Sequence, residues 1–98
     1  MDRYGDMAPG YPADMARNPD PQVRNWVVLH PGTPPEQLAK LATDPHWLVR
    51  GRVAANPHTP PAAIASLVSD PHPTVRQAAL DNPGCPDHLQ ALQRIRQV

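Results

Sequence analysis

Apolar positions along the chain follow two short patterns that alternate. One places valines at i, i+4, as in Val23/Val27 and Val49/Val53, with Val75/Ala79 in the same places. The other places Leu38/Leu41 and Ile64/Leu67 at i, i+3. Both spacings set side chains on one face of a helix. The alternation returns every 26 residues, and residues 31–56 are identical to residues 57–82 at 12 of 26 positions without a gap. The spacing predicts seven short helices, over roughly 9–17, 19–29, 34–43, 45–55, 60–69, 71–81 and 86–97, with residues 1–8 as a flexible tail. Helices this short do not persist alone, so neighbouring repeats must stack to bury their apolar faces.

The polar residues between these faces read as helix punctuation. Asp44-Pro45 and Asp70-Pro71 suit an N-cap followed by proline in the first helical turn. Asn56 and Asn82, each before a proline, end the first helix of a repeat. Thr33 and Thr59 then suit caps for a second helix of about ten residues, partly 3₁₀. Composition agrees once register is known. Fifteen prolines and no phenylalanine would fit a chain too poor in core formers to fold, yet fourteen of the fifteen occupy repeat columns and only Pro12 stands outside them. The expected organisation is an all-α solenoid of about three 26-residue repeats, each an α-helix plus a short α or 3₁₀ helix. A partial repeat at 9–17 precedes repeats at about 18–43, 44–69 and 70–92, and a capping helix runs to residue 98.

The pattern Asn-Pro-x-Thr-Pro-Pro-x-x-Leu/Ile-x-x-Leu, followed by Asp-Pro-x-x-x-Val-Arg, resembles the bacterial leucine-rich repeat variant, a short helical repeat similar in style to HEAT repeats. Residues 18–92 match it, most cleanly Pro31–Asn82. The resemblance implies a right-handed superhelix of alternating α and 3₁₀ helices, and a scaffold or interaction surface in place of a reaction. At least one member of that family holds an iron–sulfur cluster on a cysteine cluster outside its repeats. Cys85 is the one cysteine here, so that cofactor does not carry over.

Candidate chemistry lies in three places. The column Arg24/Arg50/Arg76 either bonds backbone carbonyls and capping carboxylates such as Asp44 or Asp70, or presents an arginine ladder to phosphates or acidic peptides. One turn earlier run Asp20, His46 and His72, and beside them Pro21, Trp47 and Pro73. Trp47, near Arg50 and Arg52, is either an apolar anchor for a partner or a cover over the gap between repeats. Trp26 is expected to shield the N-terminal end of the stack.

Other functions find little support. His46 and His72 lie one repeat apart, too far to share a zinc ion, and His30, His58 and His88 have no ligand spacing. Cys85 takes a threonine column and lacks a fixed His–Asp set. No phosphate loop, nucleophile elbow or HExxH motif appears, so no catalytic residue, metal or cofactor is expected. Nine Lys+Arg balance nine Asp+Glu, and from residue 21 onward seven basic residues face five acidic ones, well short of a backbone-binding protein's charge.

The reading is therefore a non-enzymatic module that binds a protein or peptide, whose acidic groups the arginines would meet, or self-associates through its ends, where Met15 with Trp26 or Leu92 with Ile95 would meet a second copy. The alternative is nucleic-acid binding through the Arg24/Arg50/Arg76 ladder. No membrane span or signal peptide is expected, and a cytoplasmic location follows.

Overall fold

The computed structural model describes the backbone of residues 15–96 and the side chains through Ala91. Six helices are bounded within that range: α1 Pro21–Leu29, α2 Pro35–Leu41, α3 Trp47–Ala55, α4 Pro61–Leu67, α5 Pro73–Asp81 and α6 Asp87–Arg96. Met15 and Ala16 are also helical. The expected tail over 1–8, and most of the helix expected over 9–17, lie outside the described residues. No strand occurs among the described residues, and no helix there is long and apolar enough to cross a membrane.

Long and short helices alternate. The nine-residue helices α1, α3 and α5 pack in series, with α3 between the other two, and the seven-residue α2 and α4 bridge successive long helices. The core lies between these layers. Val27, Val49, Val53, Ile64, Val75 and Ala79 have no exposed surface, and Leu38, Leu41 and Leu67 are buried with them. These are the positions the two apolar spacings select. Fully burying a Val or Leu side chain is worth about 1.5–3 kcal/mol, and here each gains it only because the neighbouring repeat covers it. Trp26 is half-buried against this core near its N-terminal end, together with Met15.

Helix starts differ from the expected ones in an informative way. Asp44 and Asp70 do not cap α3 and α5. Each carboxylate accepts from the N–H two residues on, His46 N at 2.9 Å and His72 N at 2.8 Å, which folds Asp-Pro-His into a turn. The helix begins two residues later than expected, and the histidine is its N-cap: Nδ1 of His46 accepts from Leu48 N, and Nδ1 of His72 from Thr74 N. Asp20 caps α1 in the same way, through Gln22 N. An imidazole performs this role only with that nitrogen unprotonated.

The second helix is also corrected. Pro34 and Pro60 stand at its N-cap with no side-chain bond, and the element is α-helical over seven residues. Thr33 and Thr59 point backward instead. Their hydroxyls donate to Val27 O and Val53 O, closing the carbonyl end of the preceding long helix. Cys85 fills the third such position and is buried, and its N–H bonds Asn82 O as those of Thr33 and Thr59 bond His30 O and Asn56 O. Burial, with a contribution from Asp87, pushes the Cys85 thiol up, away from the thiolate form a nucleophile needs.

Candidate interaction surface

The arginine column ties repeats together. Arg24 Nε donates to Asp44 Oδ2 at 2.6 Å and Nη2 to Asp44 Oδ1 at 3.1 Å. Arg50 repeats the pair on Asp70 at 2.6 and 3.2 Å. In both rungs the aspartate lies twenty residues beyond its arginine. The third guanidinium nitrogen holds the turn within the arginine's own repeat: Arg24 Nη1 reaches Asn18 O, Arg50 Nη1 reaches Asp44 O, and Arg76 Nη1 reaches Asp70 O, each at 2.8 Å. Asp44 therefore takes one arginine on its carboxylate and the next on its carbonyl. For Arg24 and Arg50 these are the bonds of the structural alternative, to a backbone carbonyl and a carboxylate together, while Arg76 makes the backbone bonds alone.

The pair geometry sets the electrostatics. Both carboxylate side chains are nearly inaccessible, 3% for Asp44 and 4% for Asp70, so their charges depend on these partners. The hydrogen bond that Arg24 donates to Asp44 raises its guanidinium, and the one that Arg50 donates to Asp70 raises Arg50, in each case against burial. Burial pushes the Asp70 carboxyl up, but the Arg50 fork, the His72 N–H and the nearby charges outweigh it and hold the group below its ordinary value.

A pH dependence follows. A carboxylate held low in the folded chain contributes stability above the unfolded-state value of about 3.9 and loses it as pH falls through the folded-state value. Unfolding midpoints in urea, followed by circular dichroism, are expected to decline below about pH 4 in the parent and to decline less in Asp70→Asn. Parallel declines in the two proteins would show that Asp70 carries none of the acid sensitivity.

A second ladder, made of the asparagines that end the long helices, runs along the other end of those helices. Asn56 Nδ2 donates to Val28 O at 2.9 Å, and Asn82 Nδ2 to Ala54 O at 2.7 Å and Asn56 O at 2.9 Å. Each amide oxygen accepts from its own loop, His58 N or Gly84 N. His30 holds the first position of this column, and its Nδ1 accepts from Gly32 N. The shared spacing of His30, Asn56 and Asn82 was the available signal.

Of the candidate contact residues Trp47, Arg50, Arg24, Arg76, His46, His72 and Arg52, Arg24 and Arg50 have their forks engaged inside the chain. Trp47 stands at the first position of α3, where α1 and α5 have Pro21 and Pro73. It remains 39% exposed. Its ring stacks on His72 of the next repeat, with centroids 4.1 Å apart and planes 6° from parallel, and His46 lies 6.3 Å away on the same row. Arg52 is exposed. Between α3 and α5 the surface forms a groove of about 330 Å³, lined by Trp47, Leu48, Gly51, Arg52, Ala55, Thr74 and Ala78. The structure thus brings Trp47, His72 and Arg52 to one place. Among the described residues no group of three or more His, Cys, Asp or Glu side chains is arranged to hold a metal ion.

Two-helix units stacked in series, with Arg–Asp and Asn–carbonyl bonds linking each unit to the next, define a helical-repeat protein. The chain belongs to the leucine rich repeat variant family, whose profile matches two tandem copies at residues 21–46 and 47–72. Each copy starts on the first residue of a long helix, Pro21 or Trp47. No curated protein and no solved structure matches the chain. The repeat is a structural one, suited to protein interaction, and not an enzymatic family.

Proposed function

We propose that the chain is a protein-interaction module that grips a polypeptide segment in the groove between α3 and α5. The observation that carries this reading is Trp47, a large aromatic side chain left 39% exposed at the mouth of an apolar groove and held in place by stacking on His72. A rigid aromatic loses little conformational freedom on binding and is the usual anchor of such contacts. Arg52 beside it favours a segment with acidic character. A reducing, cytoplasmic setting suits a chain with one buried free thiol.

The nucleic-acid alternative is weaker in this geometry. A phosphate-binding ladder needs free guanidinium forks, whereas those of Arg24 and Arg50 already hold carboxylates.

Peptides selected from a random library on the parent protein provide the test. Removing an anchor worth about 2 kcal/mol corresponds to a loss of affinity of roughly thirtyfold, so selected binders are expected to weaken by that order on Trp47→Ala while its melting temperature stays near the parent's. Binders indifferent to Trp47→Ala would reject the groove. A chain that gains affinity for duplex DNA or RNA steeply as salt is lowered would favour the alternative, and a mass of two chains by light scattering would move the reading to self-association.

A further inference from the structure

The arginine–aspartate ladder has an open end. In its first two rungs one edge of the guanidinium, Nε with Nη2, is closed by the carboxylate twenty residues on. Arg76 keeps the other half of the arrangement: Nη1 donates to Asp70 O at 2.8 Å and to Pro71 O at 3.1 Å. Twenty residues beyond Arg76 stands Arg96. Moreover, α6 is ten residues long where α2 and α4 are seven, so helix continues through the point at which another Asp-Pro turn would begin. Among the described residues, no carboxylate or other acceptor meets Nε or Nη2 of Arg76. The side chain is half-buried and anchored through Nη1, so its unused edge is held in position.

We propose that this edge of Arg76 is a docking point for an aspartate-bearing turn of a partner polypeptide, an Asp-Pro-x segment shaped like those at 44–46 and 70–72. The proposal rests on the reading of the chain as a protein-interaction module and adds the chemistry of one contact. The shape of the ligand follows from the two filled rungs. Asp44 Oδ1 accepts from both Arg24 Nη2 and His46 N, and Oδ2 faces Arg24 Nε. The turn thus fixes the carboxylate on its own backbone before the fork closes on it, which lowers the entropy lost on pairing. A planar fork matched to a planar carboxylate also distinguishes this ligand from a neutral amide.

A second copy of the chain is a poorer occupant. Its own turns at Asp44 and Asp70 are buried in filled rungs, and the equivalent position at the other end is Asn18, whose Oδ1 is taken by Asp20 N at 2.9 Å. Stacked in register, that copy would offer Arg76 no charge.

The test follows the arginine Nε–Hε NMR signals of the full chain during titration with the capped peptide acetyl-Asp-Pro-His-Pro-Thr-amide. The Arg76 signal is expected to shift saturably, with half-saturation in the millimolar range because a single partly exposed ion pair carries it. The Arg24 and Arg50 signals should stay still. The same peptide with asparagine for aspartate is expected to bind at least about tenfold more weakly, a comparison that leaves the protein's fold untouched. An Arg76 signal that is unmoved by the peptide, or moved equally by the asparagine peptide, overturns the proposal. So does one that shifts when the protein alone is concentrated, since a second copy would then be the occupant. Trp47→Ala, titrated in parallel, is expected to keep the Arg76 response. A silent Arg76 alongside intact Trp47-dependent binding counts against the fork alone, and the reverse result counts against the groove alone.

Discussion

Arg50→Ala is expected to lower stability by about 3 kcal/mol, because it leaves Asp70 as a buried carboxylate without its counter-charge. The Asp70 side chain is only 4% exposed, and after the substitution the His72 N–H is its one remaining hydrogen-bond donor among the described residues. Asp44 O loses the Arg50 Nη1 bond in the same step. Domains of this size hold roughly 5–15 kcal/mol in total, and each kcal/mol moves the melting temperature by about 4–8 °C. A fall of roughly 12–24 °C in a thermal melt follows from those two figures. Arg76 supplies the internal control. It makes the equivalent bond to Asp70 O and a second to Pro71 O but pairs with no carboxylate among the described residues, so Arg76→Ala is expected to cost about 1 kcal/mol. Replacing both partners, as in Arg50→Met with Asp70→Leu, removes the stranded charge and is expected to recover much of the loss. Equal melting temperatures for Arg50→Ala and Arg76→Ala would show that the carboxylate rung contributes nothing.

The same residues show what the sequence made legible. Val27, Val53 and Ala79 repeat every 26 positions because each must meet its counterpart in the next unit, so core and helix order were readable from spacing alone. The caps were not. Asp-Pro is a common helix opening, and nothing local distinguishes an aspartate that caps from one that turns back to serve an arginine twenty residues earlier. Asp44 and Asp70 were legible as carboxylates for the arginine column, but only the recurrence of one offset, Arg24 to Asp44 and Arg50 to Asp70, carries which arginine meets which. His46 and His72 were hidden as caps because histidine is an uncommon choice, although Asp20 in their column points to the role. Thr33 and Thr59 sit where a cap belongs, and only the three-dimensional path turns their hydroxyls toward the helix behind them. Trp47 was visible as a surface feature because the other two long helices carry proline in its place. The His72 stack that positions it joins adjacent repeats and has no counterpart in local sequence.

Asn82→Leu is expected to be the second most damaging change at a polar position, at about 2–4 kcal/mol, since leucine matches the volume but leaves buried backbone groups without partners. Asn82 is 2% exposed. Its Nδ2 serves Ala54 O and Asn56 O, and its Oδ1 takes the Gly84 N–H. All three lose a partner together, and water has little access to replace it because α6 lies over the site, with Gln90 Nε2 reaching Asn82 O at 3.4 Å. Asn56 tests whether burial sets the cost. It makes the equivalent bonds to Val28 O and His58 N but is only half-buried, so Asn56→Leu should lose about 1–2 kcal/mol. Urea midpoints rank the two variants, and hydrogen exchange at the Gly84 amide locates the effect, with faster exchange expected in Asn82→Leu and not in Asn56→Leu. If the two cost the same, the ladder acts through its bonds regardless of depth. If Asn82→Leu costs more, this rung is where the stack is most sensitive, because there one side chain must close two repeats and the loop that leads into α6.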